Sequence, residues 1–357
     1  GQVWLNDFVK LGATANRNEE DDADSSLYAA DLTVRKSAES WLKVQYGRSE
    51  GLVSTSQRSD DGGFVFQGTG DPGQRDAEAN AYRADVSVGV ADFLSSRRGR
   101  LSAYVQRLDA GYSAPGQTAL SDTTLYGGEL ELPLTEDVEL SAKLDWRTEQ
   151  DGLETHAQEV DVAYEVVDGL TVSVGVRNEL RRDDSPVVPV TQDEGERTDA
   201  GVQLAYDSGS RWRGYGFGQA TVSKSGNREN NGRYGLGGAY RLSDRLSLDG
   251  EVSHGDLGLA LKLGTDYQES EQTRRYVSYA LDNERGEDGL HRRQGSLISG
   301  ARTRLSDSAS VYLEDKYQHS DASNGLSRSM GMSLSPTDRW SFGANWELGT
   351  LIDRRTH

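Results

Sequence analysis

The sequence predicts an all-β protein whose strands run up and down as an antiparallel meander. Three features favour this fold: apolar and polar residues alternate with a period of two, the alternating segments are long, and short turns alternate with longer polar linkers. No run of comparable length shows the helical period. We therefore expect the chain to build its structure from strands with two chemically different faces.

The alternation is clearest in residues 241–253, RLSDRLSLDGEVS, where leucine, glycine and valine alternate with serine, aspartate and glutamate. The same period returns in 138–146 and in 340–348. Successive side chains of a strand point to opposite sides, so each segment has one apolar and one polar face. From Leu27 to Leu348 the pattern predicts about 18 strands. They are placed at 27–35, 39–48, 81–91, 99–108, 123–133, 137–147, 155–166, 169–180, 198–207, 211–223, 232–242, 245–254, 256–266, 273–283, 294–304, 308–318, 326–334 and 339–349.

The connections between these strands are of two kinds. Short polar turns alternate with longer linkers, such as 47–80 and LDAGYSAPGQTALSD at 108–122, and only the turn at 254–256 breaks this order. Most strands reach about ten residues, whereas strands of soluble proteins average about five to six. Short turns at one end, long loops at the other and strands of this length are typical of a transmembrane β-barrel with periplasmic turns and extracellular loops.

Composition indicates which face of the strands lines the inside. The chain has 357 residues, of which 34% are hydrophobic, no cysteine, and a formal net charge of −19. A barrel of about 18 strands encloses a space wide enough for a channel, and the available apolar side chains are too few to fill it. We therefore expect the apolar face to meet lipid and Asp249 and Glu251 to face the interior. The acidic balance argues against a nucleic-acid partner.

Aromatic residues near the strand ends support a membrane location, because tyrosine and tryptophan prefer the interface between lipid and water. The alternative is a large soluble β-protein, in which they are ordinary strand aromatics. Sandwiches bring shorter strands, and a propeller repeats about every 40–50 residues, a period that this sequence lacks. The aromatic residues at strand ends are Trp146, Tyr164, Tyr206, Trp212, Tyr240, Tyr267, Tyr317, Trp340 and Trp346.

Residues 263–289 and 298–351, with turn phrases such as LSD and SPTDRW, resemble the barrel region of very large bacterial surface proteins that carry repeat domains and are loosely grouped with the OmpA family. The resemblance extends over residues 80–351. It implies a membrane anchor or pore attached to other domains, and no catalytic residues. The closing residues, LIDRRTH, lack the terminal aromatic residue of such barrels. The C-terminus is therefore expected to be cut short or closed by other material.

Residues that could support catalysis or bind a metal are few. The five histidines lie in loops, in a turn or at the terminus, without the spacing of a zinc site, and a neighbour such as Glu154 beside His156 arises by chance in polar loops. We expect no enzyme activity and no cofactor. The acidic runs at 19–24, 59–63 and 192–196 lack the ordered ligand pattern of a calcium loop. Solvated loop charge is the simpler interpretation, and divalent-cation binding at the outer surface is the alternative.

The sequence thus predicts a transmembrane barrel over 27–357, preceded by an acidic segment, 1–26, that is a plug, a linker or an extra strand. One hypothesis is a wide, acidic, cation-favouring pore for polar solutes or export in the outer membrane of a Gram-negative bacterium. The other is an anchor for large surface domains with a plugged lumen. The expected partners are outer-membrane lipid and lipopolysaccharide, and other domains or chains that complete the barrel. The predicted pore-lining residues are Glu129, Glu131, Glu139, Lys143, Asp145, Glu159, Asp161, Glu165, Arg177, Asp249, Glu251, Lys262, Arg302, Arg304, Glu314, Lys316 and Glu347.

Overall fold

The computed structural model describes residues 1–18, 25–51, 57–58, 67–68, 78–94, 98–114, 117–119, 121–184, 194–285, 291–320 and 323–353. Twenty strands of this part of the chain form one sheet, and two pairs of short strands form separate hairpins. A 3-10 turn lies at Val90–Asp92. The strands are β1 (Gln2–Trp4), β2 (Val9–Asn18), β3 (Ser25–Arg35), β4 (Trp41–Glu50), β5 (Gln57–Arg58), β6 (Gln67–Gly68), β7 (Glu78–Gly89), β8 (Arg100–Leu108), β9 (Ser113–Ala114), β10 (Gln117–Thr118), β11 (Thr123–Pro133), β12 (Val138–Glu149), β13 (Leu153–Val167), β14 (Leu170–Asp183), β15 (Gly195–Asp207), β16 (Trp212–Lys224), β17 (Arg233–Ser243), β18 (Leu246–Gly255), β19 (Gly258–Gln268), β20 (Thr273–Arg285), β21 (His291–Ser306), β22 (Ala309–Ser320), β23 (Ser323–Thr337) and β24 (Trp340–Asp353).

The sheet is antiparallel and closed. Each long strand pairs with the next long strand along the chain, and β24 pairs with β1. The predicted antiparallel barrel class is therefore confirmed, with 20 strands instead of about 18. The two additional strands are β1 and β2, in the segment 1–26 for which a plug, a linker or an extra strand was expected. The pattern missed them because β1 has three residues and the second half of β2, TANRN, has no apolar alternation.

The two ends of each strand can be told apart by the connections. Asp168 and Gly169 alone join β13 to β14, and Gly169 has a φ of 78° that favours glycine. At the opposite end a long segment, 51–77, separates β4 from β7. Ten connections, the 168–169 turn among them, lie on the same side of the sheet. A strand end that meets one of them is called a turn end, and the other end of the strand is called its loop end. The ten are 5–8, 36–40, 90–99, 134–137, 168–169, 208–211, 244–245, 269–272, 307–308 and 338–339.

Two compact units divide the chain. The N-terminal unit comprises 1–133, 140–159 and 179–188, and the C-terminal unit comprises 134–139, 160–178 and 189–357. Among the described residues, the buried apolar cluster of the N-terminal unit consists of five residues, and Ala260 is the one buried apolar residue of the C-terminal unit. No helix in the described ranges is long and apolar enough to cross a bilayer. Because few apolar residues are buried, most large apolar side chains lie on the surface of the protein, where an apolar surrounding stabilises them.

Candidate functional site: the inward face of the strands

One face of each long strand exposes its large apolar side chains. In β18, Leu248 and Val252 are 40% and 48% exposed, whereas Asp249 and Glu251 alternate with them and point to the other face. An exposed apolar face is unfavourable in water and favourable against acyl chains. The apolar face is therefore the outer, lipid-facing one, and the charged face is the inward one.

Exposed aromatic side chains gather near the ends of the lipid-facing surface, as expected for residues that settle at the headgroup level. Trp346 is an exception, because it lies in the middle of β24 and not at a strand end. In the C-terminal unit, the aromatic residues near turn ends are Tyr164, Tyr206, Trp212, Tyr240, Tyr267 and Trp340. In the N-terminal unit, those near loop ends are Tyr28, Tyr46, Tyr82 and Tyr126, and the half-buried Trp146 lies beside Tyr126.

All seventeen predicted pore-lining residues lie at inward positions, alternating with the exposed apolar side chains. They are spread over nine strands and do not form one compact site. Some have inward partners of opposite charge: Glu131 lies 3.4 Å from Arg100, and Glu251 is the register partner of Lys262. The Arg100–Glu131 ion pair joins neighbouring strands of the wall, and the register places Glu251 and Lys262 opposite each other.

On the inward face, a tyrosine on one strand crosses the next strand and forms a hydrogen bond with a residue on the third. The sequence alone did not reveal this arrangement. Tyr276 on β20 lies across Gly300 on β21 and donates a hydrogen bond of 2.5 Å to Glu314 on β22. A Cβ at position 300 would lie 2.5 Å from Cζ of the Tyr276 ring, so a glycine is required there. The tyrosine therefore connects strands that are not neighbours.

This tyrosine-over-glycine arrangement occurs at three further places. In each, a tyrosine crosses the glycine of the next strand and reaches a carboxylate or amide oxygen on the strand beyond it. The hydrogen bonds of Tyr104 and Tyr312 measure 2.6 and 3.2 Å. The sequence could have indicated the motif only after the register was known, since three strands contribute to it. The three sets are Tyr104–Gly127–Asp145, Tyr215–Gly237–Glu251 and Tyr312–Gly331–Asn345.

In the N-terminal unit, Arg83 is the centre of a polar network on the inward face. Its guanidinium group donates to both carboxylate oxygens of Asp85 at 2.7–3.0 Å and to the side-chain oxygen of Gln106 at 3.0 Å. The same group lies 4.8 Å from the centre of the Tyr104 ring. This wall is therefore braced by paired charges instead of apolar packing.

The segment between β8 and β11, expected to be an extracellular linker, folds back onto the inward face of the N-terminal unit. Tyr112 sits over Gly47 of β4, where a Cβ would come within 2.9 Å of the tyrosine hydroxyl. The backbone N–H of Ser113 donates to Oγ of Ser49 at 3.0 Å. Burial raises the pKa of Tyr112, because its charged form would lose solvation. We call the described residues 109–114 and 117–119 the inner hairpin; it contains β9 and β10.

Small side chains on the barrel wall make room for the inner hairpin. Tyr112 and Ala119 of the hairpin form the buried cluster with Ala79, Ala81 and Leu108 of the wall. Glycine, serine and alanine recur at inward positions of these neighbouring strands, and this pattern was the sequence signal for a segment packed against the wall. It could not be interpreted without the register, because the same residues also suit a strand exposed to water.

Arginines line the turn ends of the inward face in the C-terminal unit. Arg274 forms an ion pair with Asp266, and Arg213 and Arg241 border a recess of about 750 Å³ together with Asp249. Arg213, Arg241 and Arg274 are not among the seventeen pore-lining residues predicted from the sequence. The five inward arginines of these turn ends are Arg213, Arg241, Arg274, Arg302 and Arg304.

The described residues contain no cluster of three or more side chains able to hold a metal ion. His156 lies 2.8 Å from Glu154 and against the ring of Trp146, and His319 lies 3.2 Å from the hydroxyl of Tyr279. These histidines belong to pairs near loop ends of the outward face. The acidic runs at 19–24, 59–63 and 192–196 fall wholly or partly outside the described residues.

Comparison with known proteins supports the fold. No protein-family model and no curated protein sequence matches the chain. Among solved structures, the FrpB iron transporter of Neisseria meningitidis, F5-1 variant, is similar, with a TM-score of 0.54 and 9% identity over 98% of this chain and 74% of that one. The F3-3 variant of FrpB gives a TM-score of 0.51 with 10% identity over 97% and 74%. The ferric-catecholate import receptor Fiu of E. coli K12 gives 0.50 with 10% identity over 97% and 70%.

These similarities, at 9–10% identity, support the barrel fold, and the apolar outward face agrees with the predicted outer-membrane location. The resemblance to very large surface proteins of the OmpA group stays a prediction.

Proposed function

We propose that the chain forms a water-filled pore for polar solutes through the outer membrane. The observation that carries this proposal is the two-faced wall, with charged side chains at inward positions and apolar side chains at outward ones. Removing inward charges such as Lys143 and Glu347 from water would cost much free energy. Water inside the barrel keeps them solvated and avoids this cost. A transport role agrees with the names of the similar structures, an iron transporter and an import receptor.

We propose that the inner hairpin narrows this pore. It covers the inward face of β4 and β7 near their loop ends, and it is fixed by Tyr112 over Gly47 and by the hydrogen bond from Ser113 to Ser49. A segment fixed to the wall in this way occupies part of the cross-section beside β4 and β7.

The proposed selectivity is a modest preference for cations. The formal net charge of −19 and inward acids such as Glu129 and Glu139 attract cations. The arginines at the turn ends of the C-terminal unit oppose this preference and keep it small. A pore with both charges on its wall is expected to pass zwitterionic and neutral polar solutes as well.

The test is planar-bilayer conductance of the purified, folded chain, with a salt gradient across the bilayer. We expect regular conductance steps and a reversal potential of cation-favouring sign. The double variant Glu129→Gln/Glu139→Gln should move the reversal potential toward anions, and Arg302→Gln/Arg304→Gln should move it toward cations. A folded, inserted chain that gives no steps would overturn the pore and favour the anchor for surface domains.

The inner hairpin is tested separately with Tyr112→Ala, which removes its contact with Gly47. We expect a larger or more variable single-channel conductance. Tyr82→Ala is the matched control, because Tyr82 is an exposed tyrosine on the outward face of the same unit. Equal conductance of the wild type and both variants would show that the hairpin does not narrow the pore.

A further inference from the structure

An ion pair interrupts the lipid-facing surface of the C-terminal unit. Asp315 of β22 and Arg328 of β23 are register partners, and the guanidinium group donates to the two carboxylate oxygens at 2.6 and 3.1 Å. Both residues lie at outward positions, in line with Leu313 and Met330. Their side chains are 34% and 56% exposed.

The position of this pair along the strands makes it unusual. Asp315 is the seventh of the 12 residues of β22, and Arg328 is the sixth of the 15 residues of β23. Exposed apolar or aromatic side chains flank the pair on both sides, Leu313 and Tyr317 on one strand. By contrast, the outward pair Arg48–Glu78 lies near a loop end, where water is available. A charge within the lipid-facing band is destabilising in proportion to its depth.

On the neighbouring strand β21, the outward residues beside the pair are small or carry hydroxyl groups. Ser299 of β21 is the register partner of Asp315, and Ala301 is the next outward residue on that strand. Thr303 follows and shares a hydroxyl hydrogen bond of 3.2 Å with Thr273. Small and polar residues on a lipid-facing surface let another protein backbone approach closely and offer hydrogen bonds that acyl chains cannot make.

We propose that this face, Ser299, Ala301, Asp315 and Arg328 with their outward neighbours, is where a second copy of the chain docks within the membrane. The pair carries both charges side by side, so a two-fold axis parallel to the membrane normal brings Asp315 of one copy to Arg328 of the other and the reverse. Charge complementarity is thus built into one chain. Docking removes the two charges from contact with lipid.

Engineered cysteines test the proposal, because the chain contains none of its own. Leu313→Cys lies beside the pair, and Val252→Cys is the control on another outward face; the two residues are 44% and 48% exposed. In native outer membranes, a short thiol crosslinker should join two copies through position 313 and not through position 252. Equal crosslinking at both positions, or none at 313, would overturn the proposal.

Charge reversal separates a second copy from other occupants. Asp315→Arg and Arg328→Asp should each reduce the dimer fraction in mild detergent, measured by light scattering, and mixing the two variants should restore it. The inward pair Asp266→Asn/Arg274→Gln is the control that leaves the dimer intact. A monomeric wild type that retains lipopolysaccharide through Arg328 would instead identify a lipid site and refute docking of a second copy.

Discussion

Gly300→Ala should destabilise the barrel far more than an ordinary glycine substitution in a strand. The new methyl group would lie 2.5 and 2.9 Å from Cζ and Cε2 of the Tyr276 ring, so the ring must move. Movement breaks the 2.5 Å hydrogen bond to Glu314, and a hydrogen bond to a charged group contributes about 1.5–3 kcal/mol. Overpacking adds about 1–3 kcal/mol. Because the site borders the inside of the barrel and can relax, we expect a total of about 2–4 kcal/mol.

The assay is urea-dependent unfolding in detergent or lipid, followed by tryptophan fluorescence and by the heat-modified mobility of the folded barrel. Gly218→Ala is the matched control, because no atom lies within 4 Å of the Cβ it would add, and it should change the free energy of unfolding by less than about 0.5 kcal/mol. In a Tyr276→Ala background, Gly300→Ala should cost almost nothing. An equal cost of Gly300→Ala with and without the tyrosine ring would refute the contact between Tyr276 and position 300 as its cause.

Three further outcomes are expected. Gly47→Val should displace Tyr112, whose hydroxyl lies 2.9 Å from the added Cβ, and raise single-channel conductance without unfolding the barrel. Tyr104→Phe should lower the free energy of unfolding by about 1–3 kcal/mol, since it removes a hydrogen bond to a carboxylate. Hydrogen bonds, the strongest from Ser37, lower the pKa of Asp92 in the turn after β7, so the stabilisation they give is complete above the ordinary value of 3.8 and is lost as the pH falls through the lowered pKa. Ser37→Ala should raise that pKa, as measured by NMR titration.

The sequence predicted the elements whose alternation is complete and missed those in which tertiary context decides. Residues 245–254 were recognised because their apolar side is continuous, and the structure has β18 at Leu246–Gly255. Strands β1 and β2 have a weak alternation, so the sequence alone does not decide their structure. Pairing with neighbouring strands holds them in the sheet. The period alone assigns the seventeen predicted pore-lining residues to the polar face, and their lining of a pore stays a prediction, whereas Tyr112 and Tyr276 act across strands that are distant in sequence.

Exceptions to the alternation are as informative as the alternation itself. In ASVYLEDKYQHS of β22, apolar or aromatic residues at 311, 313 and 317 define the outward face, and Asp315 interrupts them, while Glu314 and Lys316 obey the pattern. A charge that obeys the pattern is solvated inside the barrel, so it needs no partner outside it. A charge that breaks the pattern faces lipid, and its opposite, Arg328, breaks the pattern of the next strand at the matching register. These two exceptions pair with each other across neighbouring strands, and they are the observation from which the docking of a second copy is proposed.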